Sequence, residues 1–376
     1  DFGQNYLMTL QEKGNPIIFT NGDNDTFPLW YNQEVEGVGT DLRVCNLSYV
    51  QTDWYISQMK RPYYESEALP ISWNPEDYMS GKNEVVWVAE RMSEPLTVKQ
   101  AFDFVRSEDA NTKRDGENYL PTSRMYVPII ASEVAESGLF GEEYLSELSE
   151  QIDIKVNRRL TKSQMMVLEM LSSNHWKRPI YFAVTVGNDY YLGLEPYFEL
   201  TGLAYQITPV ASTNGQPRVN TAKMYDNMMN KFQYGNMNKP GIYIDENLMR
   251  MCRTHRMMFS QLADALIQEG QNEKALEVLD RAERELPQYN VPYDYTSATM
   301  AISYYELSER EKAEHILSQI ADNSVEYLTW GVGLPREYQK SVQQTLAQQQ
   351  AMLGFALQQF ERYHSDELFE EYYQHY

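Results

Sequence analysis

The first part of the chain alternates between short apolar runs and amphipathic stretches. Residues 17–19 form an apolar run, which a polar turn separates from helix-period residues at 26–36. A second apolar run at 42–47 precedes a second helical stretch at 53–59. Strand, helix, strand and helix with short connections indicate parallel strands joined by right-handed crossovers. The pattern therefore predicts an open, mostly parallel α/β sheet of Rossmann-like outline, and we assign it to residues 1–240.

Further elements of the same kind follow up to about residue 208. Thr161 has the N-cap position before an apolar helical face at 161–173. The run at 180–186 has no alternation, which predicts a strand that is covered on both faces. The remaining expectations are an irregular excursion at 60–83, a strand at 85–88, a helix at 97–105, a charged loop at 107–122 and a last strand at 203–208.

From residue 245 onward, helix-period patterns dominate and a repeat is visible. Ala275 aligns with Ala313 at an offset of 313 − 275 = 38, against about 34 for a tetratricopeptide unit. We predict a tetratricopeptide-like helical domain at 245–376, which either covers the α/β domain or forms a groove for a protein partner. The residues on the repeat pattern include three candidates for partner binding, Phe259, Leu266 and Tyr304.

Charge and composition narrow the choice of partner. The chain has 32 Lys and Arg against 54 Asp and Glu, a net charge of −22, which repels nucleic acid and anionic lipid headgroups. It also has 29 Tyr and 6 Trp, residues that suit sugar or protein contact surfaces because each has an apolar face and a polar tip. The sequence contains no HExxH, GxSxG, P-loop or dinucleotide-binding motif, so we name no catalytic residue.

The polar turn after the first predicted strand is the candidate ligand site. Ligands of open α/β sheets bind outside the carboxyl ends of strands. Asp23 and Asp25 have the D-x-D spacing that suits a divalent metal, since carboxylate oxygens are its preferred ligands. In the alternative interpretation, Asp25 or Thr26 caps the helix and Asp23 makes an Asx-turn. The candidate ligand-binding residues are Asn21, Asp23, Asn24, Asp25, Thr26 and Trp30.

Several motifs within residues 1–210 carry a family resemblance. They are Asn21-Gly-Asp-Asn-Asp-Thr-Phe-Pro-Leu-Trp-Tyr31, Gln33-Glu-Val-Glu-Gly37, Arg43-Val44, Asn46-Leu47-Ser48, Thr52-Asp-Trp-Tyr-Ile56, Arg178-Pro-Ile-Tyr-Phe-Ala183 and Gly202-Leu-Ala-Tyr205. Together they resemble the soluble C-terminal region of bacterial protein O-mannosyltransferase-like glycosyltransferases. Members of that family are large membrane proteins with many spans.

The resemblance implies an accessory role on the periplasmic side of the inner membrane. The family's catalytic carboxylate lies in a loop between membrane spans, so it is not carried over to Asp23 or Asp25. The chain opens at Asp1 without an initiator Met, and we expect it to be a segment of a longer protein. The implied partners are the protein's own upstream membrane domain and an acceptor polypeptide or glycan. The alternatives are a free-standing metal-dependent enzyme that uses Asp23 and Asp25, and a pure protein-interaction module.

Overall fold

The computed structural model describes residues 1–10 and 14–376. The chain divides into two compact units, Asp1–Asn227 and Met228–Tyr376, here called the N-terminal unit and the C-terminal unit. The N-terminal unit combines helices with mixed sheets, and the C-terminal unit is helical from residue 246 to residue 373. The domain ranges 1–240 and 245–376 stay a prediction, because compactness alone does not establish independent folding.

The strands of the N-terminal unit are short, and we number them in chain order. They are β1 (Ile17–Thr20), β2 (Arg43–Asn46), β3 (Val85–Val88), β4 (Leu96–Thr97), β5 (Lys113–Arg114), β6 (Glu117–Leu120), β7 (Arg124–Pro128), β8 (Gln151–Lys155), β9 (Arg159–Thr161), β10 (Ile180–Ala183), β11 (Phe198–Leu200), β12 (Ala204–Ile207) and β13 (Arg218–Val219).

The helices are numbered in the same way. In the N-terminal unit they are α1 (Phe2–Thr9), α2 (Asp23–Glu34), α3 (Asp53–Met59), α4 (Pro75–Tyr78), α5 (Val98–Arg106), α6 (Ala131–Ser137), α7 (Glu142–Leu145), α8 (Lys162–Ser173) and α9 (Thr221–Asp226). In the C-terminal unit they are α10 (Glu246–Gln268), α11 (Asn272–Glu285), α12 (Tyr295–Glu306), α13 (Arg310–Gly333), α14 (Arg336–Arg362) and α15 (Asp366–Tyr373).

The largest sheet in the described residues has the strand order β13-β11-β12-β10-β1-β2. Strand β1 lies parallel to both of its neighbours, with Ile17 opposite Ile180 on one side and Arg43 on the other. Strands β10 and β12 are antiparallel, as are β11 and β12. All residues of β1 and β10 are buried, which their unbroken apolar character predicts. The sheet is therefore mixed: β10, β1 and β2 form one parallel group, and β11 and β13 form a second parallel pair.

Two smaller sheets complete the N-terminal unit. One has the order β5-β6-β3-β9 and the other the order β4-β7-β8, and both mix parallel and antiparallel pairs. The charged loop expected at 107–122 is wrong in its second half, because β5 and β6 pair there as an antiparallel hairpin. The residues at its tip, Asp115 and Gly116, have positive φ angles of 53° and 83°. Those angles are typical of a tight hairpin turn, which the charged sequence conceals.

The structure confirms several predicted helices and strands, some with the predicted bounds and others with different ends. Helix α3 and strand β3 have the predicted bounds, and Thr161 caps α8 in a capping box with Gln164. Helix α2 begins at Asp23, three residues earlier than predicted. Gly22 is its N-cap residue, and its φ of 98° lies in a region that favours glycine. The helix therefore includes Asp23 and Asp25 in its first turn, so the interpretation of Asp25 or Thr26 as the N-cap residue is wrong.

Candidate functional site

The carboxyl ends of the adjacent parallel strands β1, β2 and β10 converge on the first turn of α2. Asn21 follows β1, Ser48 follows β2, and Thr185 follows β10. The Ser48 hydroxyl donates a hydrogen bond of 2.8 Å to the side-chain oxygen of Asn21. The amide of Asn46, the last residue of β2, donates to the carbonyl of Gly22 at 3.1 Å. These contacts place the turn at the edge of the sheet where ligands of α/β proteins bind.

Asp25 is the buried centre of this arrangement. Its side chain is 2% exposed, and its Oδ2 atom accepts hydrogen bonds from the backbone N–H of Asn21 at 2.9 Å and from the Thr185 hydroxyl at 2.7 Å. Burial raises the pKa of Asp25, although these hydrogen bonds oppose the shift. The carboxylate of Asp25 therefore links the ends of β1 and β10 to α2.

Thr26 links the same turn to β2. Its hydroxyl lies 2.8 Å from the Thr20 hydroxyl and accepts from the side-chain amide of Asn46 at 2.8 Å. Thr20, Thr26 and Asn46 are fully buried, and the other side-chain atom of Asn46 accepts from the N–H of Ser48 at 2.8 Å. Asp25 and Thr26, both predicted to bind a ligand, thus act in the structure as internal supports of the strand ends.

A row of aromatic side chains lies beside the polar turn, and we call it the aromatic row. It consists of Phe27, Trp30, Tyr49 and Trp54. The rings of Phe27 and Trp30 are 5.7 Å apart and inclined by 27°, and those of Trp30 and Tyr49 are 6.1 Å apart and inclined by 16°. Trp54 continues the row at 6.1 Å from Tyr49. Phe27 is 45% exposed and Trp54 is 57% exposed, so the row presents apolar ring surface to solvent.

The exposed polar residues of the turn lie next to this row. Asp23 and Asn24 are exposed in the first turn of α2, and Ser48 is exposed at the end of β2. Phe27 and Trp30 follow on the same helix three residues apart, a spacing that places them on one face. Apolar rings beside carboxylate, amide and hydroxyl groups form a surface that is suited to a ligand with both apolar and polar faces.

The divalent-metal site at Asp23 and Asp25 stays a prediction. Asp23 is exposed, whereas Asp25 is buried and already accepts two hydrogen bonds. Among the described residues, no three His, Cys, Asp or Glu side chains are grouped closely enough to hold a metal ion. A metal here would therefore depend on two carboxylates and on neutral oxygen ligands.

The partner-binding candidates of the C-terminal unit lie inside the helical packing. Phe259 and Leu266 on α10 are 0% and 1% exposed, and Tyr304 on α12 is 0% exposed. The hydroxyl of Tyr304 donates to Asp280 at 3.1 Å. Binding of a partner by these residues stays a prediction, and the structure assigns each of them a packing role.

Some residues of the site were absent from the sequence-based candidates. Phe27 could have been found from its spacing to Trp30, and Trp54 from its place in the Thr-Asp-Trp-Tyr run that follows the second strand. Thr185 is 160 residues from its partner Asp25, and no local pattern connects the two. Pairings of that kind become visible only when the strand order is known.

Comparison with known proteins assigns a family to the chain. The model of the family named TMEM260-associated domain 2 matches residues 1–230. The chain belongs to this family. The matched residues make up more than half of the chain and contain the polar turn and the aromatic row. No curated protein and no solved structure matches the chain.

The name of the TMEM260-associated domain 2 family describes an accessory domain that is linked to a membrane protein. In the described parts of this family member, no helix is both long enough and apolar enough to cross a membrane. The family model ends at residue 230, so most of the C-terminal unit lies outside the match.

Proposed function

We propose that this chain is the periplasmic accessory region of a membrane-bound, protein O-mannosyltransferase-like glycosyltransferase and that it recognises the acceptor polypeptide or glycan. The aromatic row beside the polar turn is the observation that carries this proposal. Family membership supports the link to a membrane protein, and the motifs at 21–31 and 52–56 support the link to the transferases.

The aromatic row has the chemistry that a sugar requires. A sugar ring has an apolar face of C–H groups, which packs on an aromatic ring, and an edge of hydroxyl groups, which needs hydrogen-bonding partners. Trp54 and Phe27 supply exposed ring surface, and Asp23 and Ser48 supply exposed polar groups beside it. Neutral sugars also avoid the repulsion that a net charge of −22 imposes on anionic ligands.

Asp25 and Thr26 hold this surface in place under the proposal. Their hydrogen bonds fix Asn21, Asn46 and Thr185 relative to one another, so the ends of three strands form one rigid edge. Rigid support lowers the entropy that a binding surface loses when it captures a ligand. Asp25 and Thr26 are positioning residues, and the exposed side chains of the aromatic row and of the polar turn contact the ligand.

We also propose a Rossmann-like arrangement in the N-terminal unit and tetratricopeptide-like hairpins in the C-terminal unit. The segment from β1 through α2 to β2 corresponds to half of a Rossmann-like unit, because the strands are parallel and adjacent. The helices α10 to α13 correspond to two tetratricopeptide-like hairpins, in which the aligned Ala275 and Ala313 are both fully buried. A helical surface of this type suits the upstream membrane domain or the acceptor polypeptide as its partner.

Replacement of Trp54 by Ala tests the recognition of sugar. The probes are methyl α-mannoside and short manno-oligosaccharides, and binding is followed by saturation-transfer NMR and calorimetry. We expect the Trp54→Ala variant to bind the best probe about five- to tenfold more weakly, because one ring contact is lost.

The matched control is Trp87→Ala. Trp87 lies on β3, where it is 55% exposed and carries the Arg159 guanidinium over its ring at 5.3 Å. Its exposure is close to that of Trp54, but it lies outside the aromatic row, and we expect its replacement to leave sugar binding unchanged. Equal losses in both variants, or no binding of any sugar by the unmodified chain, would contradict the proposed recognition of glycan.

A further inference from the structure

A cavity in the N-terminal unit lies away from the aromatic row. Its volume is about 360 Å³, within the range of small-molecule sites. Ile180, the first residue of β10, lines it, whereas the aromatic row and the polar turn lie beyond the opposite ends of the parallel strands. The cavity is therefore a separate place in the fold, and the function proposed above does not use it.

The cavity has mainly apolar walls and a polar mouth, and two buried charged residues, Glu169 and Arg178, also line it. Half-exposed or exposed side chains surround the mouth, among them Ile130 at 44% exposure, Glu133 and His175. This combination suits a molecule with an apolar body and one polar end. The walls include Phe102, Val127, Phe140, Ile152, Trp176 and Ile207.

The mouth is shaped by a strained turn at residues 174–177. The N–H of Lys177 donates to the carbonyl of Asn174 at 3.0 Å, and the two central residues, His175 and Trp176, have φ angles of 48° and 57°. Positive φ at both central positions is typical of a type I′ turn, which favours Asn and Gly. The left-handed conformation is unfavourable for residues other than glycine, because the Cβ atom then lies too close to the following carbonyl oxygen.

The side chain of Asn174 holds the turn closed. Its Nδ2 atom donates to the carbonyl of Arg178 at 2.7 Å, and its Oδ1 atom accepts from the N–H of Arg178 at 3.3 Å. The turn thereby places the side chains of His175 and Trp176 beside the cavity. Trp176 meets the ring of Phe140 edge-on at 5.6 Å, and Nδ1 of His175 lies 3.1 Å from Oε1 of Glu133.

The pairing with Glu133 defines what His175 can offer to a ligand. A carboxylate accepts hydrogen bonds, so Nδ1 of His175 is the donor in this pair. In the neutral ring, Nε2 is then the acceptor. A ligand with a hydroxyl group at its polar end can donate to that atom.

We propose that this cavity binds a small amphipathic molecule, with a ring or short chain as its apolar body and a hydroxyl group that donates to Nε2 of His175. The left-handed turn places His175 and Trp176 at the mouth. The apolar walls supply affinity, and the oriented imidazole selects the hydroxyl.

The test uses 4-ethylphenol and ethylbenzene as probes, since they share an apolar body and differ in the hydroxyl. Binding to the full chain is measured by calorimetry and by ligand-observed NMR. We expect the unmodified chain to bind 4-ethylphenol about tenfold more tightly than ethylbenzene, because one hydrogen bond distinguishes them. Absence of binding by both probes, or equal affinity for both, would overturn the proposal.

The variant His175→Asn separates the binding role from the fold. Asn tolerates the left-handed conformation well, so the variant should unfold at the same or a higher urea concentration. Its affinity for 4-ethylphenol should fall to that for ethylbenzene. The matched control is His364→Asn, because His364 is also exposed, has a φ of 57° and lies in the C-terminal unit. We expect this control to leave the affinities for both probes unchanged.

A second variant narrows the cavity from outside. Ile130→Trp adds a large ring at the exposed mouth and should weaken the binding of both probes. Its effect on stability should be small, because Ile130 is exposed to solvent. Retention of the original affinity for 4-ethylphenol in both His175→Asn and Ile130→Trp would place the bound probe elsewhere and contradict the assignment.

Discussion

A single buried carboxylate, that of Asp25, connects the candidate site to the fold. Its Oδ2 atom accepts from Asn21 beyond β1 and from Thr185 beyond β10. Replacement of Asp25 by Ala removes the acceptor and leaves the N–H of Asn21 and the hydroxyl of Thr185 without this partner. Replacement by Asn removes only the charge, because an amide oxygen takes the same position. The two changes therefore distinguish a structural acceptor from a required negative charge.

Asp25→Ala and Asp25→Asn are expected to differ at neutral pH. The Ala variant should lose about 1–3 kcal/mol of unfolding free energy, because the N–H of Asn21 and the hydroxyl of Thr185 lose their acceptor. The Asn variant should be at least as stable as the unmodified chain, since it retains an acceptor and buries no charge. Urea unfolding monitored by fluorescence measures both values.

The difference in stability between the Asp25→Asn variant and the unmodified chain depends on pH. Burial raises the pKa of Asp25 above that of an unfolded Asp, about 3.9, so the folded state retains the proton more strongly. The contribution of Asp25 to stability is therefore largest at acidic pH and decreases as the pH rises through its folded pKa. The advantage of Asp25→Asn over the unmodified chain should shrink between about pH 7 and about pH 4. An Asn variant as unstable as the Ala variant at neutral pH would show that the charge itself is needed, as a bound cation requires.

Packing between elements depends on a glycine where α1 crosses α2. A Cβ atom at Gly3 would collide with the backbone carbonyl of Pro28, which cannot move without disturbing α2. Helix α2 carries the first turn of the candidate site and two rings of the aromatic row. The close approach of α1 therefore contributes to the position of that site.

Gly3→Ala is expected to destabilise the chain by about 1–3 kcal/mol through overpacking. Gly333→Ala is the control, because Gly333 is also helical and a Cβ atom there meets no described atom within 4 Å. Ala is the better helix former, so the control should be neutral or slightly stabilising. Thermal unfolding of the two variants compares them directly, and equal effects would show that the contact between Gly3 and Pro28 is unimportant.

Some of these helices and strands were predictable from sequence patterns, and others were not. Strands β1 and β10 and helix α3 were predictable, because unbroken apolar runs and helical periodicity are local signals. The hairpin of β5 and β6 was not, since charged residues in a short exposed strand look like a loop. The start of α2 was placed too late because Asp and Asn favour turns as strongly as they favour first helical turns.

The two sites differ in the same way. The position of the polar turn was predictable because a strand-to-helix turn is visible in the sequence, and ligand binding there stays a prediction. The pair of Glu133 and His175 was not predictable, because 42 residues separate the two side chains and neither belongs to a motif. Strain in the turn around His175 is a property of the backbone, and the sequence gives no sign of it.

At the scale of the whole molecule, charge and surface together restrict the partners. The chain carries a net charge of −22, yet its exposed rings form an uncharged surface beside the strand ends. Neutral glycans and polypeptides meet less electrostatic repulsion at such a surface than nucleic acids or anionic lipids do. Membership in the TMEM260-associated domain 2 family adds the link to a membrane protein, which is the central claim of the proposed function.

The most direct test of that claim is made on the native protein in its own cells. Its apparent mass is determined with an antibody against this chain, and membranes are then extracted at alkaline pH. The proposed function predicts a product far heavier than 43.9 kDa that stays in the membrane fraction after extraction. A product of about 43.9 kDa that is released from the membranes would contradict it.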